Sequence, residues 1–435
     1  MTTDNGKGVV SPLQNQSIHR TVLKNGIVVL VAENPAADII AARIFVRAGS
    51  CCEVLEQSGL AHLVSAVLTK GTQDLSSLEI AERVESVGAS LSADAAADYF
   101  LLSLKTVSAD FAEILELAGQ LLRSPTFPEA EVELERRLAL QDIRSQQEQP
   151  FTIAFDQLRQ AMYQNHPYAL SGLGTEATVS QLCRADLQRY HRTYFRPDNI
   201  VISIAGRVTP KDAVALVEKV VGDWQVPPTS LPNLKLPTLT AQPQQRATSQ
   251  ETQQSILMMG YLAPSVQKAD YTALRLLSTY LGNGLSSRLF VELREKRGLA
   301  YEVSAFYPTR LGPSAFVVYM GTAPENTAIA LEGLRTEVEL LCTAQLSEDA
   351  LQSAKNKLLG QYALGKQTNT QIAQVFGWYE TLGLGISFDT QFQQQVADVT
   401  AAVAQQAACR YLLEPYVSLV GPEEAINPLV TPSSV

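Results

Sequence analysis

Basic stripes, long apolar runs, cysteine motifs and histidine clusters are all missing from this sequence. Its 34 lysines and arginines are outnumbered by 44 aspartates and glutamates, for a net charge of −10. Nucleic acid or an anionic membrane surface would select the opposite balance, so neither is expected as a partner. No apolar run approaches the length of a membrane span. The opening "MTTDNGKGVVSPLQNQ" has neither the apolar core of a secretory signal nor the basic amphipathic pattern of a transit peptide, and residues 1–17 read as a disordered tail. Five cysteines (Cys51, Cys52, Cys183, Cys342 and Cys409) are odd in number and lack C-x-x-C spacing, which favours reduced thiols and a cytoplasmic location. The adjacent Cys51 and Cys52 read as two small buried residues at a strand end. Histidine occurs only four times, and no H-x-x-x-H pair or nucleophile elbow is present. "GNGLSSR" lacks the lysine of a phosphate-binding loop.

What is present is length and order. With 435 residues, 46% of them hydrophobic, the chain can bury two or three cores. The sharpest change of composition is the proline-rich stretch 224–250, "WQVPPTSLPNLKLPTLTAQPQQRATSQ", which reads as a semi-extended linker. On either side the order of elements repeats. Residues 18–223 open with strand-like runs about Asn25-Gly26, a hairpin signal, and continue as strand, helix, strand and long helices. They close with a helix, a Pro turn and a strand ending at Gly206. Residues 251–435 run strand, helices, two strands and helices, then close with a helix, a Pro turn and a strand ending at Gly421. Strand runs followed by helix runs predict two duplicated α+β domains, each a mainly antiparallel sheet with helices on one face.

Within "SGLAHLVSAVLTKGT", Leu60, Leu63, Val64, Val67 and Leu68 make one buried helical stripe, with Ser58 as N-cap and Gly71 beyond the last turn. His62, Ser65, Ala66 and Thr69 share the second face, where residues four apart would project together toward a metal. Gly59, His62, Gly71 and Thr72 match the frame G-x-x-H-x-x-E-H around the inverted zincin motif, with Ser65 in place of the glutamate and Ala66 in place of the second histidine. Here, and in "NHPYALSGLGT", "YFRPDNIVISIAGRV" and "LGNGLSSRLFVELREKRGLAYEVSAFY", the chain resembles the pitrilysin/insulinase family of zinc metallopeptidases, which includes the mitochondrial processing peptidases. The resemblance covers most of the chain in the expected order.

The family's third zinc ligand lies on a long helix, and by resemblance Asp142 stands at that position, with Gln141 beside it and Glu135 two turns upstream. A catalytic zinc needs three protein ligands and an open site, and Ser65 cannot take a proton from water near neutral pH. His62 therefore reads as a leftover, no metal is expected in this chain, and His19, His166 and His191 read as structural or exposed. The resemblance also implies that Arg294 and Tyr301 belong to the wall that binds the peptide backbone beside the scissile bond. The alternative is that Arg294 pairs with Glu292 or Glu295 while Tyr301 packs. The expected function is that of an inactive, substrate-binding subunit. It would lend Arg294 and Tyr301 to a homologous catalytic subunit that carries the zinc and act on peptides or unfolded polypeptides. A homodimer of the isolated chain stays open. The competing readings are a non-enzymatic scaffold and a stand-alone metallopeptidase using His62, Asp142 and one further ligand.

Overall fold

The computed structural model describes residues 17–234 and 236–429. Eleven strands form two sheets: β1 (Ile18–Val22), β2 (Val28–Glu33), β3 (Ile39–Val46), β4 (Ser90–Ala95), β5 (Phe100–Val107) and β6 (Ile200–Gly206), then β7 (Gln245–Ser249), β8 (Ser255–Ala263), β9 (Glu302–Phe306), β10 (Ser314–Thr322) and β11 (Tyr416–Gly421). The helices of the first half are α1 (Leu60–Leu68), α2 (Ser77–Ser86), α3 (Phe111–Arg123), α4 (Glu129–Gln147), α5 (Pro150–Tyr163), α6 (Glu176–Val179), α7 (Arg184–Tyr194) and α8 (Pro210–Val221). Those of the second are α9 (Tyr271–Gly282), α10 (Thr327–Thr343), α11 (Glu348–Leu364), α12 (Asn369–Thr381), α13 (Phe388–Asp398), α14 (Ala401–Tyr411) and α15 (Glu423–Ile426). The first sheet has the order β1-β2-β6-β3-β5-β4 and the second β7-β11-β8-β10-β9. Apart from the extra hairpin strand β1, the two orders are the same. In each sheet the first and last of the repeated strands pair in parallel and every other pair is antiparallel. The duplication is thus written in strand topology.

Period-2 alternation divides each sheet into two apolar faces. On β3, Ile40, Ala42, Ile44 and Val46 join the core under α1, α3 and α7 of the same half. Phe45 points the other way and meets Ile372, Ala373, Phe376 and Tyr379 of α12, a helix from the second half. The second sheet repeats this. Leu257, Met259 and Tyr261 of β8 face the helices of their own half, whereas Ile256 and Met258 face Ala154, Leu158, Ala161 and Met162 of α5, from the first half. Each half therefore has its own helices on one sheet face and a helix donated by the other half on the opposite face. Polar ties cross the same seam: Arg20 to Glu380 at 2.8 Å, Asn34 to Asn369 at 2.7 Å and Ser418 to Gln157 at 3.1 Å.

The Asn25-Gly26 hairpin forms as expected, joining β1 and β2 with Gly26 at φ +93°. The expected linker needs a correction. Its described residues have no regular structure up to Gln244, but Gln245–Ser249 form β7, parallel to β11. A polar edge strand such as "QRATS" carries no apolar alternation to announce it. The rest of the stretch is pinned: Arg196 donates to the carbonyls of Thr229 and Pro227, and the Tyr416 hydroxyl accepts from the Gln242 amide at 2.6 Å. Of the tail expected over 1–17, all but Ser17 lies outside the described residues. Among the described residues no helix is long and apolar enough to cross a membrane.

Candidate functional site

Helix α1 sits where the sequence stripe puts it, with Leu60, Leu63, Val64, Val67 and Leu68 all buried. Its caps differ from expectation. Gly59, at φ +97°, is the N-cap, and the Glu53 carboxylate does the capping, accepting from the amides of Gly59 at 3.0 Å and Ala61 at 2.5 Å. Ser58 instead leans on the Ser171 carbonyl at 3.5 Å. Burial pushes the Glu53 carboxyl up to about 8, against the pull of those two amides. Gly71 is not left-handed. A Cβ there would lie 2.8 Å from the Thr126 hydroxyl and 2.9 Å from Pro128, so closeness rather than conformation requires glycine.

The second face of α1 packs toward α4 and β4. His62 is half-buried, and Asp142, Glu135 and Asp94 are its nearest acids. Burial outweighs their combined pull and holds the imidazole below its usual pKa. Glu135 is committed to Lys70 at 3.1 Å, and Asp142 is exposed. Buried Ser65 turns its hydroxyl back onto the His62 carbonyl at 2.7 Å, a local bond that uses up its donor. Ala66 offers a methyl group. Among the described residues no three His, Cys, Asp or Glu side chains come together as metal ligands. The residues do not fit a catalytic zinc, which requires three such donors, and no chemical step can be derived through one here.

Of the other histidines, two are buried and one is exposed. His166 is fully buried and its Nδ1 accepts from the Tyr168 amide at 3.1 Å; burial drives its pKa down to about 4. His191 lies 2.8 Å from the Leu122 carbonyl through Nε2, stacks on Phe195 at 4.6 Å and is also lowered to about 4 by burial. His19 meets the Thr21 hydroxyl on exposed β1. Cys51 is buried and Cys52 half-buried, their sulfurs 3.9 Å apart on a turn after β3.

Arg294 lies on a π-helical turn, Phe290–Glu295, closed by the Lys296 amide bonding back five residues to the Val291 carbonyl at 3.0 Å. Such turns are rare and concentrate at functional sites. Gly298, at φ +63°, stops the turn and lets the chain re-enter the second sheet, and the Tyr301 amide donates to the Gly321 carbonyl at 2.9 Å. Glu292 is held by Arg288 at 3.2 Å and Lys296 at 2.8 Å. Arg294 has no carboxylate partner among the described residues; its guanidinium is exposed and lies 5.0 Å from the Phe290 ring centre. Tyr301 is 60% exposed. Apart from that ring contact of Arg294, neither residue is held by an ion pair or a side-chain hydrogen bond among the described residues, and no hydrogen bond joins either to the His62 face.

Sequence reasoning missed β4. This strand, "SLSADA", is the outer strand of the first sheet on the side opposite β1 and brings Asp94 beside the His62 face. Its strict alternation of polar and apolar residues was the available signal, and the structure turns these alternately out and half-in. The second sheet presents β9, the strand that follows Tyr301, as its free edge.

Comparison with known proteins decides the family. Residues 28–176 match the family model described as insulinase (peptidase family M16), and residues 181–358 match the one described as peptidase M16 inactive domain. The chain belongs to the insulinase family. It does so without the family's H-x-x-E-H motif, since Ser65 and Ala66 replace the last two residues. Relatives include an uncharacterized zinc protease of Bacillus subtilis, 26% identical over 82% of this chain and 87% of its own length. Another, from Streptomyces coelicolor, is 27% identical over 93% and 90%. Among solved structures, a protease from Helicobacter pylori superposes with a TM-score of 0.89 at 22% identity, covering 94% of this chain and all of that one. A peptidase M16 inactive domain from Pseudomonas fluorescens does so at 0.87 and 24%, covering 93% and 98%. These likenesses establish the two-domain α+β fold. A non-catalytic member of the insulinase family fits both the inactive-domain match and the altered motif.

Proposed function

We propose that this chain is the inactive, substrate-binding subunit of a two-chain zinc peptidase. It lends Arg294 and Tyr301 to the active site of a homologous catalytic subunit, which holds the zinc. The observation that carries this reading is the contrast between the two halves. The metal-site face lacks the proton acceptor and second imidazole of the motif, and Ser65 and Glu135 on or beside it are engaged in local bonds. Arg294 and Tyr301 stay exposed, with no ion pair or side-chain hydrogen bond among the described residues. A guanidinium and a phenol donate to a peptide carbonyl, and better to the oxyanion formed on attack. The free edges of β4 and β9 suit an extended peptide or unfolded segment that binds as an added strand.

The test is to purify the catalytic homologue from the same source and assay peptide hydrolysis with each chain alone and with both mixed. The mixture is expected to be active where this chain alone is not. Arg294→Ala with Tyr301→Phe should lower turnover of the mixture by at least about a hundredfold while assembly persists. Undiminished activity of an assembled double variant refutes the in-trans site and leaves a scaffold. Hydrolysis by this chain in the proven absence of a companion refutes the whole reading.

A further inference from the structure

A pocket of about 130 Å³ lies at the seam between the halves, lined by neither Arg294 nor Tyr301. Its walls come from Ala95, Ala96 and Ala97 at the end of β4, from Leu158 and Met162 of α5, and from Ala315 of β10. Against these alanine, leucine and methionine side chains stand Arg159, Arg310, Tyr163 and Tyr168. Two cations on one small space, Arg159 largely buried and Arg310 half-buried, demand an explanation, because charge is costly to bury without a full set of partners.

The local acids provide it only in part. Asp156 pairs with Arg159 through one terminal nitrogen at 2.7 Å, and the Arg159 side chain is 16% exposed. Its Nε is buried with no hydrogen-bond partner. Burial, with Arg310 adding repulsion, outweighs Asp156 and depresses the Arg159 pKa. Arg310 has no carboxylate within ion-pair distance among the described residues, and its guanidinium lies 5.2 Å from the Tyr168 ring centre. Asp98, the other nearby acid, attracts Arg310 across the pocket without pairing with it, and already accepts from the Tyr168 hydroxyl and from the Leu311 amide at 3.3 Å. Tyr163 is 5% exposed, lies within electrostatic reach of both arginines, and its hydroxyl has no hydrogen-bond partner among the described residues. Donors exceed acceptors, and the surplus borders one space.

We propose that this pocket is a carboxylate-binding site, in which Arg159, Arg310 and Tyr163 hold a small organic acid or the free C-terminal carboxylate of a peptide. A guanidinium fork matches a carboxylate in shape and charge. The volume admits about four water-sized bodies, enough for a carboxylate with a few carbons on the alanine and methionine wall. Its place at the end of the free strand β4 brings a peptide terminus within reach. The inference concerns this chain alone and does not depend on the partner proposed above.

Isothermal titration tests it, using acetate and the tripeptide Ala-Ala-Ala as free acid and as C-terminal amide. The free acids are expected to bind the wild-type chain and the amide not. A tripeptide acid that binds more than tenfold tighter than acetate assigns the site to peptide termini; comparable affinities assign it to small acids. Arg310→Met should weaken either ligand at least tenfold, and its melting curve establishes that it is folded. Tyr163→Phe, which keeps the ring, is expected to weaken binding less. Equal binding of acid and amide, no binding by the folded wild-type chain at millimolar ligand, or binding unchanged in folded Arg310→Met would overturn the proposal.

Discussion

Gly377 lies on α12, the helix that the second half lays across the first sheet. A Cβ there would sit 2.4 Å from Phe45 Cε2 and 2.8 Å from Ser203 Cβ. Carbon contacts are favourable near 3.5–4.0 Å, so Gly377→Ala overlaps Phe45 by about 1 Å. Phe45 has no exposed surface and packs edge-on against Tyr99 at 5.4 Å, which leaves it nowhere to turn. The helix must lift, and overpacking of this kind costs about 1–3 kcal/mol. Alanine also returns about 1 kcal/mol of helix propensity. That gain can be cancelled experimentally, because Gly360 on α11 has no atom within 4 Å of its added Cβ. Gly360→Ala should therefore be neutral or stabilising, and Gly377→Ala should fall below it by about 1–3 kcal/mol in urea unfolding followed by circular dichroism. Both variants should unfold in one transition, since α12 belongs to one half by sequence and to the other by packing. Equal midpoints for the two variants would refute the contact. A biphasic curve would refute the mutual covering of the halves.

Further expectations concern the altered metal face and the buried histidines. Ala66→His with Asp142→Glu, added to His62, supplies three ligands, and metal analysis of the dialysed protein should find about one zinc per chain. Hydrolysis should still be absent until Ser65→Glu restores the proton acceptor; activity of the two-residue variant would contradict the reasoning. His166 and His191 are lowered to about 4, so they stay neutral when folded while the unfolded chain takes up protons below about 6.5. Stability should therefore fall as pH drops from about 6.5 toward 4, by up to about 3 kcal/mol per histidine. His191→Gln should flatten that dependence in unfolding curves collected across the window. Glu53, raised to about 8, acts in the opposite sense, removing stability as pH climbs from about 4.5 to 8. Glu53→Gln should lessen that loss at the alkaline end.

Much of the fold could be read from the chain because its signals are local. The Asn25-Gly26 turn, the α1 stripe and the repeated order of elements each depend on neighbours in sequence, and the structure has all three. What lay beyond reach depends on partners far apart. The apolar residues Ala154, Leu158, Ala161 and Met162 announce that α5 buries a face, but periodicity does not say against which sheet. Nor does it show that Glu53, six residues before Gly59, displaces Ser58 as the cap of α1. The departure from H-x-x-E-H was legible because Ser65 and Ala66 lack the carboxylate and imidazole whatever their surroundings. The seam pocket was not, because Arg159 and Arg310 belong to different halves and only the fold brings them to one space.

The reciprocal exchange of α5 and α12 has a consequence for synthesis of the chain. When the first half has left the ribosome its sheet is complete, yet the face bearing Leu30, Phe45 and Val201 remains bare until residues 369–381 follow. A nascent chain with so large an apolar surface invites aggregation and is a natural client for a chaperone. Truncation before Asn369 should thus yield insoluble protein rather than a stable amino-terminal fragment.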